Sequence, residues 1–103
     1  MPPNKEFLYV IENHAWPCWY KLGRTSDLQE TLKMYNRCTP FVDFGFVYTS
    51  STYDIITDVT HAANILLENS SKTSLGWYFI PCNKIQKVVE SLELDWRYNE
   101  SKA

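Results

Sequence analysis

The chain has 103 residues, of which 10 are basic and 12 acidic, so its formal net charge is −2. This length supports one hydrophobic core rather than two, and no stretch approaches the roughly eighteen apolar residues of a membrane-spanning helix. A slightly negative chain is also unusual for a protein that binds phosphate backbones, so a nucleic-acid surface has to be a local feature.

The cysteines predict neither a disulfide framework nor a tetrahedral zinc site. Cys18, Cys38 and Cys82 are odd in number, lie far apart and form no CxxC pair. No charged and apolar leader of the kind that directs secretion opens the chain. We therefore expect a soluble intracellular protein, cytoplasmic or nuclear, without a membrane partner.

The chain is expected to form a single domain over residues 1–103, with its core at about 7–92. Pro2 and Pro3 discourage regular structure in the lead 1–6, and the tail 97–103 is expected to be loose. There are no internal repeats and no linkers.

Two short apolar runs near the start of the chain each carry a tyrosine and predict a pair of strands. The runs cover residues 7–11 and 19–23, and the polar segment 12–17 joins them. In an antiparallel pair, side chains that share a face lie close together. We therefore expect the phenols of Tyr9 and Tyr20 to point into one pocket.

A helix is predicted at about 27–37, because Asp27 and Glu30 have the spacing of a capping box. Its apolar side chains recur at helical spacing, as Leu28, Leu32 and Tyr35. The alternating aromatic run 41–48 predicts a third strand.

The second half of the chain continues the alternation of helix and strand. We expect a helix at about 52–68, a polar loop at 69–74, a strand at 77–80 and a final helix that Asn83 caps. The order ββαβαβα predicts a small α+β domain with a mainly antiparallel sheet and flanking helices.

Four basic side chains fall within one short segment and predict a local basic rim beside the two tyrosines. They are Lys21, Arg24, Lys33 and Arg37. Such a rim is a candidate nucleic-acid-binding surface, and the alternative is an ordinary solvated helix face.

The order and spacing of several short motifs resemble the GIY-YIG nuclease superfamily, in its compact branch common in phages, large DNA viruses and bacteria. The motifs are the run 20–25 (YKLGRT), Thr39-Pro40, His61 and the aromatic run 77–79. The resemblance covers about residues 7–92, and it implies a phosphodiester-cleaving fold.

The same resemblance implies roles for individual residues. Tyr9, Tyr20, Tyr35 and His61 match catalytic positions, whereas Thr31 and Thr57 stand where a phosphate-binding arginine and a metal-binding glutamate belong. A threonine cannot replace a bidentate, permanently charged guanidinium. Asp58 is the candidate Mg²⁺ ligand if the protein is active; otherwise no cofactor is expected.

Three functions remain open at this point. The first is an inactive or very weak nuclease homologue that still binds nucleic acid, with DNA favoured over RNA and aromatic side chains as stacking surfaces. The second is a protein-interaction module, anchored by tryptophans such as Trp16, Trp19 or Trp96. The third is a divergent Mg²⁺-dependent DNA endonuclease that uses Tyr9 and Asp58 among others.

Overall fold

The computed structural model of the chain describes residues 6–37, 39–41, 43–52 and 54–92. The predicted anchor Trp96, residues 1–5 of the predicted lead and the predicted tail 97–103 lie outside these residues, whereas Glu6 of that lead belongs to the first strand. Among the helices described, none has the length and apolar character needed to cross a membrane.

The architecture is a small α+β domain built on one five-stranded sheet in which every pairing is antiparallel. The strands are β1 (Glu6–Asn13), β2 (Trp19–Thr25), β3 (Phe44–Thr52), β4 (Lys72–Ser74) and β5 (Trp77–Phe79). The helices are α1 (Leu28–Asn36), α2 (Ile55–Asn69) and α3, described over 85–92. The strands are arranged in the order β3-β1-β2-β5-β4, so β1 and β2 lie in the middle.

The two faces of the sheet carry two separate hydrophobic clusters, and we name each face after the helix that packs on it. On the α2 face, Leu8, Val10 and Tyr20 pack with side chains of α2 and α3. On the α1 face, Tyr9 and Ile11 pack with Phe44 and with the apolar side of α1. The sheet therefore separates the domain into two layers of packing.

Local sequence determines where both long helices begin. The Asp27 carboxylate accepts a hydrogen bond from the backbone N–H of Glu30 at 3.0 Å, which confirms the predicted cap of α1. Asp54 caps α2 in the same way, accepting from the N–H of Thr57. The helix therefore begins at Ile55 rather than at 52, since residues 51 and 52 extend β3.

The prediction of a polar loop over 69–74 was wrong for its second half. Lys72–Ser74 forms β4, which pairs with β5 through a tight hairpin. Leu75 and Gly76 are the two central residues of that hairpin, and both have positive φ, at 50° and 85°. This combination is typical of a type I′ turn, which joins short strands with the correct twist.

A disulfide joins Cys18 to Cys82, contrary to the prediction from cysteine spacing. The two residues are 64 positions apart in sequence, but their Cα atoms are 5.1 Å apart. Cys18 directly precedes β2 and Cys82 follows β5, and the Ile80 N–H donates to the Cys18 carbonyl at 3.0 Å. Strand pairing, which cysteine spacing does not reveal, brings the two thiols together.

Candidate functional site

The ring of Tyr9 lies directly on the backbone of Gly23, its cross-strand neighbour in β2. A Cβ atom at position 23 would occupy the space of the phenol, so only glycine permits this arrangement. The Tyr9 hydroxyl forms a hydrogen bond of 3.1 Å with the Tyr35 hydroxyl, and the two rings meet edge to face. Sequence reasoning named both tyrosines, and the structure brings them together.

A cleft of about 440 Å³ opens beside this pair. Its lining comprises Tyr9, Thr31, Met34, Tyr35 and Phe44. We call it the phenol cleft. The pKa of Tyr9 is raised well above its ordinary value of 10, by burial first and then by the hydrogen bond and proximity of Tyr35. Tyr9 is therefore a neutral phenol at physiological pH, able to donate or accept a hydrogen bond.

The Thr31 side chain forms a hydrogen bond near the N-terminus of α1. Its hydroxyl donates to the Thr25 hydroxyl at 2.6 Å, and Thr25 in turn donates to the Asp27 carbonyl at 3.1 Å. This chain of hydrogen bonds links the end of β2 to the first turns of α1. Thr31 is thus accounted for by local structure, although it also lines the phenol cleft.

Tyr20 lies on the opposite face of the sheet from Tyr9, so the prediction of one shared pocket was wrong. The register pairs Tyr9 with Gly23 and Tyr20 with Glu12, and paired residues share a face. Tyr20 is consequently buried among the side chains of the α2 face. Burial and the nearby Glu12 carboxylate raise the pKa of its phenol.

Asp58 and His61 belong to α2 and therefore lie across the sheet from the phenol cleft. The Thr52 hydroxyl donates a hydrogen bond to the Asp58 carboxylate, which ties α2 to the end of β3. Tyr9, Tyr20, Tyr35 and Asp58 do not converge on one point. In the described part of the chain, no three histidine, cysteine or acidic side chains are grouped as metal ligands.

Mg²⁺ also has no suitable ligands in the phenol cleft. The described residues that line it supply hydroxyl groups, a thioether and aromatic rings, but no carboxylate. Magnesium binds through one or two carboxylates together with water or phosphate oxygens. The phenol cleft therefore does not fit that ion.

The four predicted basic residues do not form one rim. Lys21 is on the α1 face, whereas Arg24 pairs with Leu8 and is on the α2 face. Lys33 is exposed on α1, and Arg37 is exposed at the C-cap of that helix, where it forms a 3.4 Å ion pair with Glu30. Strand alternation separates Lys21 from Arg24, an effect that proximity in sequence conceals.

The α1 face continues over β2, β5 and β4 as a surface of aromatic rings and lysines. We call it the aromatic surface. It comprises Trp16, Trp19, Lys21, Lys72, Trp77 and Phe79. The Lys21 ammonium lies 5.9 Å from the Trp77 ring, and that of Lys72 lies 4.8 Å from the Phe79 ring. Each side chain of this surface is partly or fully exposed.

Ring contacts connect the aromatic surface to the phenol cleft. Trp16 contacts both Trp77 and Phe44, with ring centroids 5.8 and 6.1 Å apart. Phe44 in turn contacts Tyr35, at 5.1 Å. Sequence reasoning named Trp16 and Trp19 only as protein anchors and Phe79 only as part of the run 77–79, and it did not name Lys72. The alternation of Trp77 and Phe79 in one strand was the available indication.

A groove of about 640 Å³ lies at the edge of the aromatic surface, against the β4–β5 hairpin. Its side-chain lining includes Trp16, Trp19, Trp77 and Leu75. We call it the tryptophan groove. Exposed aromatic faces beside lysine ammonium groups suit ligands that combine flat rings with negative charge, and unpaired nucleotides have both.

The sequence matches the T5orf172 domain over residues 6–93, a range that includes every strand and helix given above. The chain belongs to the T5orf172 domain family. Membership places it among nuclease-like or DNA-binding domains associated with phages. Comparisons with curated proteins and with solved structures gave no match.

The family match corrects the resemblance drawn from the short motifs. The T5orf172 domain is a different family from GIY-YIG, so the assignment to GIY-YIG was wrong. Thr31 and Thr57 therefore cannot be counted as an arginine and a glutamate that were lost. The predicted inactivity rested on those two positions, and it loses its basis with them.

Proposed function

We propose that this T5orf172 domain binds DNA through the aromatic surface. The observation that carries the proposal is the placement of the Lys21 and Lys72 ammonium groups over Trp77, Trp19 and Phe79. Lysines supply charge for phosphates, and the exposed Trp16 ring beside half-buried Trp19 and Trp77 supplies a stacking platform for bases. The family relationship to nuclease-like or DNA-binding domains supports DNA as the ligand.

A local surface reconciles this function with a net charge of −2. The described residues that line the tryptophan groove include no acidic side chain, while lysines lie at its margins. Binding that depends on two lysines and several rings has a modest salt dependence, because few counterions are released.

The test is DNA binding by fluorescence anisotropy over a range of salt concentrations. Lys21→Ala and Lys72→Ala are each expected to weaken binding. Each should also reduce the slope of log binding constant against log salt concentration by about 1 in magnitude. Lys87→Ala is the matched control, since Lys87 is an exposed lysine of α3, whose Val88 packs on the α2 face. Equal losses in all three variants, or no binding at low salt, would refute the proposal. A stoichiometric protein partner in place of DNA would instead favour the interaction-module alternative.

A second candidate function is cleavage of a phosphodiester in the phenol cleft. Two observations favour it, the nuclease-like character of the family and the meeting of two phenol hydroxyls at an open cleft. Neutral phenols can donate hydrogen bonds to a phosphate oxygen as charge develops on it. Nicking of supercoiled plasmid, measured with and without divalent ions, should then be lost in Tyr9→Phe and Tyr35→Phe and retained in Tyr20→Phe.

A further inference from the structure

The β4–β5 hairpin presents a leucine to solvent in a conformation that leucine rarely adopts. Leu75 is 95% exposed and has a φ of 50°, in the left-handed region. Asparagine, aspartate or glycine is the usual residue at this place in a type I′ turn. A bulky apolar residue there gains no burial and is strained by its backbone, so folding gives no reason for it.

Leu75 lies beside three tryptophan side chains. It lines the tryptophan groove together with Trp16, Trp19 and Trp77, at the margin of the surface that carries Lys21 and Lys72. Ser74 and Trp77 are directly paired, so the hairpin tip projects beyond the last ring of the sheet. An apolar tip, a groove lined by indole rings and two cations thus lie together on the part of the sheet formed by β2, β5 and β4.

We infer that Leu75 is a wedge that recognises DNA with an unpaired nucleotide. This rests on the proposed DNA binding and specifies the DNA form that is bound. Apolar side chains on DNA-binding proteins insert between base steps and unstack them. In this domain the leucine fills the gap in the stack, and the unpaired base lies in the tryptophan groove against an indole ring.

The groove and the lysines fit that occupant. A volume of about 640 Å³ is ample for one nucleotide base, and base stacking on an aromatic ring tolerates any base identity. Lys21 and Lys72 lie over the Trp77 and Trp19 rings of this groove and supply positive charge for the neighbouring phosphates. A fully paired duplex offers no free base, and extrusion of one costs unstacking and unpairing energy. Preference for unpaired DNA follows from that difference.

The experiment compares three labelled DNAs by fluorescence anisotropy. They are a fully paired duplex, the same duplex with one bulged nucleotide, and the single strand. The native domain is expected to bind the bulged duplex about tenfold more tightly than the paired one, which is within the range of one stacked base. Equal affinity for the bulged and paired duplexes would overturn the inference.

Leu75→Asn removes the wedge without endangering the fold, because asparagine accepts a left-handed backbone better than leucine does. This variant should reduce the preference for the bulged duplex to about twofold and lower single-strand affinity less than Trp16→Ala does, since only a duplex has a stack to fill. Trp16→Ala should weaken binding to both the bulged duplex and the single strand. Leu67→Asn is the matched control, since Leu67 is a leucine of α2 that is 57% exposed.

The outcomes separate this inference from the proposed function. If Leu75→Asn keeps the full preference while Lys21→Ala weakens binding to all three DNAs, the wedge is refuted and DNA binding stands. If none of the three DNAs binds, the proposed function fails, and the wedge fails with it. Thermal unfolding of each variant verifies that a loss of binding is not a loss of fold.

Discussion

The phenol ring of Tyr9 lies on the backbone of Gly23, and this contact holds the Tyr9 hydroxyl within hydrogen-bond distance of Tyr35. An aromatic ring that covers a cross-strand glycine shields its backbone and compensates for the missing side chain. Tyr9 therefore links β1 and β2, the central strands of the sheet, to Tyr35 of helix α1.

Gly23→Ala should destabilise the domain by about 1–3 kcal/mol, because the added methyl group forces the Tyr9 ring out of its place. Gly45→Ala is the control, since a Cβ atom at that position of β3 meets no atom within 4 Å. Urea unfolding of both variants measures the difference. Equal stability of the two variants would contradict the contact between ring and backbone.

The Tyr9 phenol predicts a loss of stability at alkaline pH. Because its pKa is raised in the folded state, the protonated phenol stabilises the fold fully below the ordinary pKa of 10. Above that pH the unfolded chain loses the proton first, so the free energy of unfolding should fall as pH rises further. Tyr9→Phe should make this fall shallower, and cost about 1 kcal/mol at pH 7 through the lost hydrogen bond. Unfolding curves at pH 7 and above pH 10 measure both effects. If the free energy of unfolding falls as steeply with pH in Tyr9→Phe as in the native domain, the predicted role of the Tyr9 phenol is refuted.

Variants of Lys21 and Arg24 distinguish the aromatic surface seen in the structure from the single basic rim predicted from the sequence. If the aromatic surface binds DNA, Lys21→Ala should weaken binding more than Arg24→Ala, because the two side chains are on opposite faces of β2. A single basic rim would give similar losses for both. Anisotropy titrations at one fixed salt concentration decide between these outcomes.

Because of the disulfide, we expect the free energy of unfolding to depend on redox state. Cys18 and Cys82 close a loop spanning 64 positions, and a cross-link of that length stabilises by about 4 kcal/mol in the chain-entropy model. Dithiothreitol should therefore lower the urea midpoint of the native domain and leave that of Cys82→Ser unchanged. A native midpoint that is insensitive to the reductant would show that the cross-link contributes little.

Local chemistry in the sequence was enough to locate most of the elements. Asp27 and Asp54 cap helices because a short acceptor side chain satisfies a free N–H three residues later, and this interaction needs no distant partner. Short apolar runs and one alternating aromatic run predicted four of the five strands, and the α+β class followed from the order of the elements. The β4 strand was missed because its three residues are polar and exposed, so only pairing with β5 defines it.

The sequence by itself located every element except β4, and it named Tyr9, Tyr35 and Lys21, which the fold places on one face. Only the tertiary structure decided which side chains meet. Strand register placed Tyr20 and Arg24 on the face opposite Tyr9 and Lys21, and the β2–β5 pairing joined Cys18 to Cys82 and set Lys72 beside Phe79. The physical reason is that a strand alternates its side chains between two faces, so a face is defined by cross-strand partners that lie far apart in sequence.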